Sequence, residues 1–100
     1  MTRLEHLLTI AAEESAEVAQ RISKALRFGL DEIEHSQEFT NAERIKNELT
    51  DLLAVVLMIE AEAKVLLVSS ESYLESKQIN AKMEKVEKYL AYSKLCGTLE

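Results

Sequence analysis

Acidic side chains carry the chemistry open to this chain. Glu13, Glu14 and Glu17 stand together near its start, and Glu48 and Asp51 follow after thirty intervening residues. Both groups fall in stretches that read as helix, where residues three or four apart share a face, so each group stacks carboxylates on one side of a turn. Carboxylates held that close repel one another unless a proton or a cation intervenes. Two such helices side by side would line a site for a hard divalent ion, Mg²⁺ or Mn²⁺, with oxygen ligands.

The elements that must position these acids are legible from caps and periodicity. Thr2 with Glu5 forms a Thr-x-x-Glu capping box, so a first helix should begin there. Leu4, Leu7, Leu8, Ala11, Ser15, Val18, Ala19, Ile22, Ala25 and Leu26 then recur as one apolar or small stripe. Gly29 supplies a left-handed stop, which predicts a helix over 3–28. Residues 30–40 read as an acidic connector with room for one helical turn; its length suits a lid or binding loop as well as a solvated crossover. Thr40 with Glu43 repeats the capping box and starts a second helix, with Ile45, Leu49, Leu52, Leu53, Val56 and Ile59 on one face. Its middle, Leu52 to Ile59, is apolar all round, which calls for burial on more than one side. One small bundle has too little surface to cover it, so the pattern predicts a homo-oligomer, a dimer or a tetramer. Ser72 with Glu75 would cap a third helix, in which Ile79, Met83, Val86 and Leu90 form a narrow stripe that ends near Cys96-Gly97.

Composition agrees. With 100 residues, no Pro, two Gly, 47% hydrophobic and 30% charged residues, the expected class is all-α, a bundle of three to four helices per chain in a single domain, residues 1–100. A net charge of −6 argues against a nucleic-acid partner, because affinity for phosphate polymers comes from clustered Lys and Arg. The longest apolar run is eight residues, too short for a membrane span, and the first residues do not read as a signal peptide. Cys96 is the single cysteine, so no intrachain disulfide forms, which suits a cytoplasmic protein.

On a helical wheel Glu14 and Glu17 lie along the flank of the first stripe, with Ile10 and Arg21, while Glu13 points further outward. Glu48 and Asp51 flank the second stripe in line with Val55 and Met58. A pair of acids at helical spacing is usually a solvated face, but two pairs that can meet beside a core are a candidate metal cage. Ferritin-like di-iron bundles need Glu-x-x-His motifs from two helices, and His6 and His35 do not provide two.

Glu13-Glu14-x-x-Glu17 followed by Glu48-x-x-Asp51-Leu52-Leu53 resembles the EExxE and ExxD signature of the all-α nucleotide pyrophosphohydrolases, the MazG-like superfamily. The helix lengths and the third helix extend the resemblance over nearly the whole chain. It implies Mg²⁺ held by Glu14, Glu17, Glu48 and Asp51, with Glu13 an accessory ligand or a group that orients and deprotonates water. It further implies attack of water on the α-phosphorus of a nucleoside triphosphate, which releases nucleoside monophosphate and pyrophosphate. Metal would screen the triphosphate and lower the pKa of water, so a site made of acids suffices.

Substrate contacts must come from elsewhere. Lys82 lies on the flank of the third stripe, within a segment from Lys77 to Lys94 that carries a local charge of +3. Asn80, Lys24 and Arg21 are further polar candidates. His6, Phe28, Tyr89 and Tyr92 are flat side chains on which a base could stack, with Phe28 favoured by its place beside the connector. Two alternatives stand beside this reading. One is phosphoribosyl-ATP pyrophosphohydrolase, although Leu-Leu-Ala-Val after Asp51 differs from that branch's aromatic-histidine pattern. The other is a non-catalytic helical interaction module whose acids are surface charge or a structural ion site.

Overall fold

The computed structural model describes residues 1–69 and 72–100, without the side chains of 72–75. The described chain is all-α, with α1 (Arg3–Phe28), α2 (Asn41–Ala63) and α3 (Ser72–Leu95) and no strand beyond one isolated bridge. Among the described residues no helix is long and apolar enough to cross a membrane. The chain divides into two compact units, Met1–Val68 and Ser69–Glu100.

Both predicted capping boxes are present in the first unit. The Thr2 and Thr40 hydroxyls accept from the backbone N–H groups of Glu5 and Glu43, and those carboxylates accept from the threonine N–H groups in return. Each box satisfies two helix-end donors that would otherwise lack partners, which is why the helices start where the sequence says. Gly29 ends α1 at φ 99° and ψ 151°, a region open to glycine alone and not the left-handed helical one, while its N–H donates to Ala25 O.

α1 and α2 pack as an antiparallel hairpin, tied at one end by Arg3 to Glu62 (3.2 Å) and at the other by Asn41 to Gly29 (2.8 Å). The connector contains no helical turn. It folds back on the start of α2: Asn41 N–H donates to Glu32 O, Ala42 N–H to Leu30 O, and Ile33 bridges Thr40. Past α2, Lys64 turns the chain in the left-handed region, and the buried Glu60 carboxylate accepts from the N–H groups of Leu67 and Val68. That contact satisfies two backbone donors where regular structure has ended.

The apolar stripe of α1 does not behave as one surface. Leu4, Leu7, Ala11, Glu14, Val18, Arg21 and Ala25 turn toward α2, whereas Leu8, Ser15, Ala19, Ile22 and Leu26 face outward. The inward spacing alternates three and four, the 3.5-residue period of helices that cross at a shallow angle. On α2 the matching set is Asn41, Ile45, Glu48, Leu52, Val55 and Ile59, with Leu49, Leu53 and Leu57 exposed. Only Leu7, Ala25 and Ile59 form a fully buried apolar core among the described residues. A two-helix hairpin has one seam to bury, so half of each apolar helix is left uncovered.

In the second unit, the described side chains of α3 are almost all exposed, including Ile79, Met83, Val86 and Leu90. The helix closes in a Schellman motif: Thr98 N–H donates to Ser93 O and Gly97 N–H to Lys94 O, with Gly97 at φ 81°. The predicted cap of Ser72 by Glu75 falls on side chains outside those described.

Candidate functional site: an acidic cluster in the α1–α2 seam

Glu14, Glu17 and Glu48 each bring a carboxylate oxygen within 4.8 Å of the others, close enough for one cation to bridge. Glu14 and Glu17 are on adjacent turns of α1, and Glu48 reaches them from α2. The placement is deeper than the wheel suggests for two of the three. Glu14 and Glu48 occupy inward seam positions and are half-buried, while Glu17 stands at the exposed lip. Asp51 is exposed one turn along α2 from Glu48; it is not in the bridging group, yet its charge acts on both Glu14 and Glu48. Glu13 is exposed and outside the cluster.

Burial, followed by the charges of Glu17 and Asp51, raises the Glu14 pKa. The Glu48 carboxyl is pushed up to about 7, first by burial, then by a contact with Glu17 that favours a shared proton, and then by the charges of Glu17, Glu14 and Asp51. The cluster is therefore frustrated at neutral pH. Its geometry carries the same message, because Glu14 Oε2 and Glu48 Oε2 are buried with no hydrogen-bond donor. Buried polar atoms normally have partners, and carboxylate oxygens brought this close need a proton, a bridging water or a cation between them.

Arg21 lies one turn beyond Glu17 along α1, and its Nη1 is likewise buried without an acceptor. Orphaned acceptors and an orphaned donor thus stand along one seam. Three oxygens of this kind suit several hard divalent ions and do not select among them.

Past Arg21 the same strip leads to Lys24 and Phe28, which line a cleft of about 130 Å³ with Glu32, Glu34 and Asn41. Lys24 and Phe28 are thus brought together, and Arg21 lies between them and the acids. His6 is exposed, eight residues before Glu14 and so roughly 12 Å up the helix, away from the cluster. Asn80, Lys82, Tyr89 and Tyr92 are exposed on α3 in the second unit.

Three lining residues, Glu32, Glu34 and Asn41, and the supporting Arg44 carry no sequence signal of a site. Asn41 reads as an ordinary first-turn residue, but its side chain is 2% exposed and donates to both Gly29 O and Glu32 Oε1. Arg44 Nη1 donates to Glu34 Oε2 at 2.8 Å, which holds the Glu34 carboxyl below the usual carboxylate range; Lys24 adds to the effect. Comparison of the chain with known protein families, with curated proteins and with solved structures finds no match.

Proposed function

We propose that this protein is a Mg²⁺-dependent nucleoside triphosphate pyrophosphohydrolase that converts a (d)NTP and water to (d)NMP and pyrophosphate. The observation that carries the reading is the pairing of orphans: buried carboxylate oxygens on Glu14 and Glu48, and an unpaired guanidinium N–H on Arg21 of the same strip. A cation satisfies the first and an anion the second, and a metal-bound phosphate chain brings both. The motif resemblance to the MazG-like pyrophosphohydrolases supports the same assignment.

Glu14, Glu17 and Glu48 would hold the ion, with Asp51 adding charge from the next turn of α2. When bound, Mg²⁺, or Mn²⁺ in its place, would screen the triphosphate and make water a better nucleophile. The chain's residues supply position and charge. Arg21 and Lys24 meet the phosphate oxygens, and Glu13, on the exposed side of the same turn, orients the attacking water. The exposed Leu8, Ile22, Leu26, Leu49, Leu53 and Leu57 are covered by a second copy of the chain, which completes the bundle. The free thiol of Cys96 suits a reducing compartment, and we place the protein in the cytoplasm.

Incubation with a panel of NTPs and dNTPs should give monophosphate and pyrophosphate with Mg²⁺ and nothing with EDTA. Orthophosphate as the product would overturn attack at the α-phosphorus. Glu17→Gln and Asp51→Asn should each remove most activity and leave the helical circular-dichroism signal intact. Sedimentation should show an oligomer that Leu53→Asp dissociates; a wild-type monomer would refute the covering copy.

A further inference from the structure

The cleft at the far end of the seam strip is built too specifically to be a passive gap. One wall is the Phe28 ring, half-exposed, with the Arg27 guanidinium 4.8 Å from its centroid on one face, so a flat ligand has the other face to lie on. The polar wall is made of two carboxylates that the fold has already fixed. Glu32 uses Oε1 to accept from Asn41, whose amide spends its second N–H on Gly29 O and so cannot turn. Glu34 uses Oε2 to accept from Arg44. Each carboxylate keeps its other oxygen for a ligand, and an ionised carboxylate only accepts hydrogen bonds. Lys24 also lines the cleft, where its charge acts on Glu34.

Such a lining favours a flat ring that carries amino donors. A ring with a carbonyl at the same place would set acceptor against acceptor and leave both unpaired, which a site punishes more heavily than a missing contact. A volume of about 130 Å³ suits one heterocycle and not a whole nucleotide. Lys24 lies seven residues along α1 from Glu17, roughly 10 Å at the helical rise, a span that fits a base at one end and its phosphates at the other.

We propose that the cleft of Lys24, Phe28, Glu32, Glu34 and Asn41 holds the nucleobase and selects amino-bearing rings, cytosine and adenine, over their oxo counterparts, uracil and hypoxanthine. The inference rests on the reading of the acidic cluster as the triphosphate site. Glu32 and Glu34 are the specificity residues, and Asn41 and Arg44 position them.

The test compares kcat/KM for CTP against UTP and for ATP against ITP, pairs that differ in the amino or oxo group and in whether the adjacent ring nitrogen carries a proton. Binding of CMP and UMP, measured by calorimetry, provides a readout that needs no turnover. The amino member should be favoured by about tenfold to a hundredfold in each pair. Glu32→Gln or Glu34→Gln, whose amide can donate as well as accept, should bring the ratio close to one; circular dichroism checks each fold, and either variant suffices. Hydrolysis of all four nucleotides with equal efficiency would overturn the base assignment and leave the pyrophosphohydrolase standing. Tighter binding of CMP than UMP without hydrolysis of any nucleotide would uphold the cleft and overturn the enzyme. Equal binding, or a preference that survives in both variants, would overturn the cleft.

Discussion

Replacing Glu48 by glutamine should stabilise the metal-free protein above neutral pH. The Glu48 carboxyl is raised from 4.5 to about 7, so between those values the folded chain holds a proton that the unfolded chain has released. Stability therefore falls as pH rises through that window, and the loss is complete above about pH 7. Taken whole, the displacement corresponds to about 3 kcal/mol. Glu17 and Asp51 are exposed, however, and water that reaches them screens the repulsion, so about 1 kcal/mol is the gain to expect from removing the charge. The amide also donates to the neighbouring carboxylates, which face one another without a donor in the wild type. For the hairpin unit, about 1 kcal/mol is a rise in Tm of about 4–8 °C. The assay is thermal unfolding of Glu48→Gln and wild type in EDTA at pH 8 and pH 5, at one protein concentration because an oligomer's Tm depends on it. The gain should appear at pH 8 and vanish at pH 5, where wild-type Glu48 is protonated. Added Mg²⁺ at pH 8 should then raise the wild type more than the variant. No gain at pH 8, or an equal gain at both, would refute the account of a frustrated carboxylate.

Metal affinity should weaken as pH falls below about 7, by about tenfold per pH unit where one proton is displaced; calorimetry in two buffers of different ionisation enthalpy would show the released proton. Asn41→Ala removes a buried side chain that donates two hydrogen bonds of 2.8 Å, and should cost about 2–3 kcal/mol in urea unfolding. A cost near zero would mean that the connector is not held by it. Thr40→Ala breaks the capping box and should cost about 1 kcal/mol. That loss should be somewhat larger above pH 5 than at pH 3: the Thr40 N–H, which the variant keeps, and the hydroxyl, which it lacks, both hold the Glu43 carboxyl below its usual range, and protonation removes the hydroxyl's share.

The sequence marks the helix starts because capping is local: Thr2 and Thr40 act on residues three places away, and no distant contact is needed to place them. The acids were legible for a similar reason, since helical spacing alone puts Glu14 beside Glu17 and Glu48 beside Asp51. Three features were not. The stripe of α1 splits because 3.5-residue spacing picks one edge of a wide apolar face, and only the partner helix decides which edge. The same choice turns Glu14, Arg21 and Glu48 inward and leaves Leu8, Ile22 and Leu26 outside. The connector closes on α2 through hydrogen bonds of Asn41 and Arg44 that have no local pattern.

By itself, then, the chain determined its helices, its first two caps and the grouping of its acids, all set by interactions within a turn. The tertiary structure decided which carboxylates lose water and press on one another, and which side chains share a cleft. Desolvation and repulsion between helices depend on the distance across the seam.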